Sequence, residues 1–222
     1  MSSLPKDSSG RELILLEIDN SGNESITVNG KAYPSNSTYN TDLDNSTEVK
    51  KSYVFMPKTI RNSVTVGNTT TDYIYTENGL VNVENLKLDF YATDSNKPLV
   101  YGTDYKIDGS TLKILSDKGI TVKNVDPTQP CSNDIYIESG VSANITFAGI
   151  NIQRGLNELS AVEIAENSSG NVNIILADNT DNIISTTYNY AALSKNSDSA
   201  EYGTLTISCQ HSGEAGHICG SS

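Results

Sequence analysis

Both histidines of the chain and two of its three cysteines lie within eleven positions, Cys209-Gln-His211-Ser-Gly-Glu214-Ala-Gly-His217-Ile-Cys219. The pattern Cys-x-His-x5-His-x-Cys is symmetric and offers four ligands of the type zinc takes, with Gly213 and Gly216 able to reverse the chain between them. The same two thiols could instead close a short Cys209–Cys219 disulfide loop, as an oxidising compartment favours. That reading leaves His211 and His217 without a role, while the zinc reading lacks the usual Cys-x2-Cys spacing. The two stand open beside a third, free thiols.

The remaining cysteine, Cys131, is preceded by Pro127 and Pro130 and has both histidines some eighty residues downstream, so no base accompanies it as a nucleophile needs. It reads as a linker or buried small apolar residue. Aromatic chemistry rests on tyrosine, with 12 Tyr, 3 Phe and no Trp. Tyr188, Tyr190 and Tyr202 fall on either side of a polar insertion around Ser197-Asp198-Ser199 and are the candidate ligand contacts, since a flat apolar face carrying a hydroxyl suits a sugar ring or a protein surface. Tyrosine is also a good strand former, which is the plainer account of the three.

Elements that would hold these residues are strands. Helical periodicity is nearly absent, apolar positions alternate with period two, and only the run Leu13, Leu15, Leu16 and Ile18 leaves helix and strand undecided. Two hairpins are expected, one turning at Asn78-Gly79 and one at Asp108-Gly109, each preceded by the tripeptide Thr-Asp-Tyr (71–73 and 103–105). After residue 130, Ile135-Tyr-Ile137 and Ile145-Thr-Phe147 return 27 residues later as Val162-Glu-Ile164 and Val172-Asn-Ile174, with a looser third copy at Ala192-Leu193 and Leu205-Thr-Ile207. A fixed period of this length predicts a β-solenoid over 125–222, with Ile135, Ile137, Ile145, Phe147, Val162, Ile164, Val172, Ile174, Leu205 and Ile207 facing inward; a β-sandwich is the alternative. The division expected is 1–78, an unassigned β-rich region; 79–124, a small hairpin domain; and 125–222, the solenoid. The last repeat is followed at once by Gly220-Ser-Ser222, so the sequence reads as a piece truncated at its C-terminus.

Composition limits the partners. The 222 residues carry 15 Lys+Arg against 27 Asp+Glu, for a net charge of −12. Residues 124–222 hold only Arg154 and Lys195 as cations against 11 acidic residues. Such a surface lacks the cation clusters that bind nucleic acid or acidic polysaccharide. No run of some 20 apolar residues suggests a membrane span, and the start MSSLPKDSSG is not a signal peptide.

The stretches Tyr101-Gly-Thr-Asp-Tyr105-Lys-Ile-Asp-Gly109, Val141-Ser-Ala-Asn-Ile145-Thr-Phe147-Ala-Gly-Ile150-Asn-Ile152 and Gly170-Asn-Val-Asn-Ile174-Ile-Leu-Ala-Asp178 resemble carbohydrate-binding-domain-containing surface proteins of gut Firmicutes. The resemblance covers about residues 100–222 and leaves 1–78 without a counterpart. It implies a right-handed parallel β-helix of pectate-lyase-like shape, exported and attached to the cell wall, with no catalytic residues to carry over. Lyase chemistry would need calcium held by carboxylates and a cationic base. Glu163, Glu166, Asp178 and Asp181 are the candidate carboxylates, with Glu163 on the outer face and Asp178 and Asp181 in a turn, and Arg154 and Lys195 are the only cationic residues in the repeats that could be the base. An acidic polymer would also be repelled. The expectation is therefore a non-catalytic extracellular module that binds a glycan. Its rival is an adhesin piece contacting a host protein such as an immunoglobulin.

Overall fold

The computed structural model describes residues 6, 12–20, 24–33, 38–40, 50–57, 61–76, 79–155, 160–187, 190–195, 202–211 and 216–221. Its regular elements are all β-strands, and the described residues contain no helix. They fall into two units, Met1–Glu84 and Asn85–Ser222.

In the first unit, β1 (Leu13–Asp19), β2 (Ile26–Val28), β3 (Lys31–Tyr33), β4 (Thr38–Asn40), β5 (Lys50–Pro57), β6 (Asn62–Val66), β7 (Thr69–Thr76) and β8 (Gly79–Asn82) make two antiparallel sheets, ordered β1-β5-β4 and β3-β2-β6-β7-β8. The undecided run is thus a strand. Ile14 and Leu16 are buried and Leu15 between them is 54% exposed, the period-two alternation of a one-sided sheet. Ile14, Leu16, Val54 and Met56 from one sheet and Ile26, Val28 and Val64 from the other form one core cluster. Asn29 and Gly30 both take positive φ, 51° and 75°, between β2 and β3, as a two-residue hairpin of the primed type requires. The expected turn at Asn78-Gly79 lies partly outside the described residues: β7 and β8 pair as far as Thr76↔Gly79, and residues 77–78 are not described.

The second unit comprises β9 (Leu88–Ala92), β10 (Tyr105–Asp108), β11 (Thr111–Ile114), β12 (Ile120–Asn124), β13 (Asp134–Ile137), β14 (Asn144–Phe147), β15 (Asn151–Arg154), β16 (Val162–Ile164), β17 (Val172–Leu176), β18 (Asp181–Thr186), β19 (Leu193–Lys195), β20 (Leu205–Cys209) and β21 (His217–Ser221). They build three sheets, ordered β10-β11-β13-β16-β19, β20-β17-β14-β12-β9 and β15-β18-β21. From β13 onward the chain visits the three in rotation, and each strand from β16 to β21 pairs in parallel with its counterpart one rotation earlier. Two sheets are mixed, because β9 pairs antiparallel with β12 and β10 antiparallel with β11, each at its sheet's edge.

The expected boundaries at 78 and 124 give way to one at 84. β8 pairs with β7 and so belongs to the first unit. Residues 85–124 join the second because β11 and β12 pair in parallel with β13 and β14, and because Leu112, Ile114, Ile120 and Val122 are buried alongside Ile135, Ile137, Ile145 and Phe147. The repeat also has a different register in its second pair. Ile135 lies opposite Val162 as the 27-residue period requires, but Ile145 lies opposite Ile174 and Phe147 opposite Leu176, a spacing of 29. A shift of two leaves the inward phase intact, since strand side chains alternate with period two. Eight of the ten residues expected inside are fully buried, whereas Leu205 is partly buried and Ile207 is 44% exposed. Both stand on β20, the edge strand of its sheet, which has a described neighbour on one side only. The second hairpin turns one residue later than expected. Asp108 pairs with Thr111, and Gly109 (φ 60°) with Ser110 makes the turn, the arrangement with glycine first.

Buried amides fix the corners. Asn124 donates to the carbonyls of Gln129 and Asn151 and accepts from the Asn151 N–H. Asn182 accepts from the N–H groups of Gly149 and Ile150 and donates to the His217 carbonyl. Asn133 reaches the carbonyls of Asn85 and Ser110 and accepts from the Lys87 N–H. Each satisfies backbone groups that leave the ladders at a bend and would otherwise be buried without partners.

Candidate functional site

Outward side chains of the β10-β11-β13-β16-β19 sheet fall in rows fixed by the register. One row runs Lys106, Lys113, Tyr136, Glu163, Ser194 and the next Asp108, Thr111, Asp134. They stand between Leu112, Ile135, Ile137, Val162 and Ile164, whose burial on the inner face fixes which residues point out. A hollow of about 320 Å³ opens here, walled by Asp108, Thr111, Lys113, Asp134, Tyr136, Glu138 and Glu163.

Charges in the hollow are unevenly matched. Lys113 Nζ lies 2.9 Å from Asp108 Oδ2 and 6.0 Å from the centroid of the Tyr136 ring. Its hydrogen bond to Asp108 raises the Lys113 pKa and lowers that of Asp108. Asp134 is 5% exposed. Arg154 Nη1 stands 2.9 Å from its Oδ1, an ion pair, yet that oxygen accepts no aligned hydrogen bond. Burial pushes Asp134 up, outweighing the Thr111 hydrogen bond and the Arg154 charge. Glu163 is half-buried and also pushed up, first by burial and then by the charge of Asp134. Tyr136 is raised by burial and by the carboxylates of Glu138 and Glu163. The result is an aromatic wall with a hydroxyl, ringed by carboxylates and one amine. It can offer a ligand a flat apolar contact together with charged hydrogen-bond acceptors.

A larger hollow of about 520 Å³ is lined by Thr93, Asp94, Lys97, Asp117, Lys118 and Gly119. No aromatic ring lines it, and Lys118 is already committed, donating to Asp104 Oδ2 at 2.5 Å and to the Pro98 carbonyl at 2.9 Å. Its chemistry is that of a brace for the 93–105 segment, so the smaller hollow is the candidate.

Residues singled out in the sequence are placed elsewhere. Tyr188 lies outside the described residues. Tyr190 is 40% exposed, and its carbonyl accepts from Thr186 Oγ1. Tyr202 is partly buried just before β20. Cys209 and Cys219 are exposed free thiols on strands of different sheets. Cys209 Sγ lies 3.7 Å from the Gly216 carbonyl, and His211 Nδ1 pairs with Asp178 Oδ2. His217 and Cys219 both stand exposed on β21. The four do not gather into a ligand set, and no group of three or more His, Cys, Asp or Glu able to hold a metal occurs among the described residues. Cys131 is buried, and burial pushes its thiol up. Of the four carboxylates considered for lyase chemistry, only Glu163 lines the hollow, on the outer face; Asp181 opens β18 instead of lying in a turn. Arg154 is engaged by Asp134 and by the Ser132 carbonyl.

Sequence reasoning missed Tyr136, Lys113 and Asp134. The signal was present in the repeat itself: Tyr136 and Glu163 are the central residues of matching strands, so a parallel stack places them side by side on the outer face.

Comparisons of the chain with family models, with curated proteins and with solved structures find no match.

Proposed function

We propose that residues 85–222 form a right-handed parallel β-helix whose outer face binds carbohydrate, and that the protein is a non-catalytic extracellular or cell-surface module. The rotation of the chain through three sheets supports the β-helix reading. The observation that carries the ligand reading is the Tyr136 ring, set in a hollow whose remaining walls are polar, the pairing of apolar face and hydrogen-bonding rim that sugars require. Export and wall attachment rest on the sequence resemblance alone. Lyase chemistry is disfavoured because Arg154 is tied to Asp134 and Ser132 and because the hollow's carboxylates would repel an acidic polymer.

A glycan array, followed by affinity electrophoresis on neutral and acidic polysaccharides with and without calcium, tests the proposal. Retardation on non-acidic polysaccharide, with or without calcium, is the expected result; silence on every glycan rejects it. Protein contact is a second reading favoured by one observation in the first unit: Leu15 and Phe55 are direct cross-strand partners and remain 54% and 45% exposed. Capture of serum or mucus proteins that survives deglycosylation would support it.

A further inference from the structure

The charges around the hollow do not cancel. Lys113 is matched by Asp108 and Arg154 by Asp134, each at 2.9 Å. The side-chain carboxylates of Glu138 and Glu163 have no ion pair and no hydrogen bond among the described residues, although Lys113 feels the charge of Glu138. Glu163 is the more constrained of the two, half-buried beside Tyr136 in its row and under the field of Asp134. Asp134 is itself enclosed, with an oxygen that accepts no aligned hydrogen bond despite the nearby guanidinium. An acidic sugar would add to this uncompensated charge and a neutral one would leave it in place. A cation beside Glu163 would offset it at short range, where partial burial limits screening by water and salt.

We infer that the hollow selects sugars bearing a free ammonium group, that is, unacetylated amino sugars, with the ammonium beside the Glu163 carboxylate and the sugar face against Tyr136. The inference rests on the carbohydrate reading above and narrows its ligand class. Lys113 does not oppose it, because its charge is held by Asp108.

The test is calorimetric titration of the full chain at pH ~6, where carboxylates are largely ionised and amino-sugar amines largely protonated. Four probes are used: a β-1,4-linked glucosamine tetramer, its N-acetylated counterpart, a galacturonic acid tetramer, and spermidine as an ammonium without a sugar. The glucosamine tetramer is expected to bind about five- to tenfold tighter than the acetylated one, the scale of one partly exposed charge contact, and the uronic tetramer not at all. Glu163→Gln, nearly isosteric on an outer face, should abolish that preference, and Tyr136→Ala should weaken binding of both tetramers. Equal affinity for the two tetramers, or a preference that survives Glu163→Gln, overturns the inference while the carbohydrate reading stands. Binding of spermidine but of neither tetramer, or no binding by any probe, overturns the amino-sugar inference, while the carbohydrate reading falls only with silence on the whole glycan array.

Discussion

Asp72 and Asp104, the central residues of the two Thr-Asp-Tyr tripeptides, do the same structural work in different units. Asp72 accepts from Ser63 Oγ at 2.6 Å and from Arg61 Nη2 at 2.9 Å. Asp104 accepts from Ser116 Oγ at 2.7 Å and from Lys118 Nζ at 2.5 Å. In each case the Asp carbonyl also takes an N–H just beyond the hairpin, from Val83 and from Leu115. The tripeptide was legible in the sequence, but its meaning was not. The serine and cation lie 9 to 11 residues before Asp72 and 12 to 14 after Asp104, so only the folded hairpin brings them together. Asp104→Asn should destabilise the second unit by about 2 kcal/mol in equilibrium denaturation, less than for a fully buried pair because Lys118 is partly exposed. Burial alone would raise the Asp104 pKa, but the bonds from Lys118, Ser116 and the Val100 N–H outweigh it and the net shift is downward. The sign follows: the stabilisation is present above the ordinary carboxylate range and is lost as pH falls through the lowered value. The difference in stability between wild type and Asp104→Asn should therefore shrink on acidification, and a difference independent of pH would contradict this assignment.

Stacking of short strands depends on tight corners as much as on apolar rows. A Cβ on Gly170 would stand 2.0 Å from the Val141 carbonyl oxygen, and one on Gly203 would stand 2.1 Å from that of Gly170. Successive corners thus lie backbone against backbone, with no room for a side chain. Gly170→Ala should cost at least about 2 kcal/mol, because the obstruction is main chain and cannot rotate away, and thermal unfolding would measure it. An unchanged transition would mean that the corner opens freely. The inward rows were legible because Ile, Val and Phe alternate with polar residues at matching phase. The two-residue offset between the 27- and 29-residue spacings was not, since it is absorbed at the corners and leaves inward residues inward. Asn29-Gly30 carried the same hairpin signal as Asn78-Gly79 but lies among short, less regular strands.

At the scale of the whole chain, the all-β class was readable from composition and alternation. The boundary at 84 was not, because a parallel pairing such as Leu112↔Ile135 joins segments separated by a crossover that passes through β12 in another sheet, and leaves no local mark. The site was half legible. Glu163 could be put on the outer face from its apolar neighbours, but the hollow also needs Lys113 and Asp108 from the hairpin that was expected to be a separate domain. Tyr190 and Tyr202, chosen for their clustering, have no ring contact joining them among the described residues. The two locations make different demands on a variant. Affinity electrophoresis on the polysaccharide that retards the wild type, run side by side with Tyr136→Ala and Tyr190→Ala, decides between them. Loss of one stacking tyrosine should cost about tenfold or more in affinity, as truncation of an aromatic anchor does. The account predicts that Tyr136→Ala loses its retardation while Tyr190→Ala keeps it; retention by Tyr136→Ala with loss in Tyr190→Ala would contradict it.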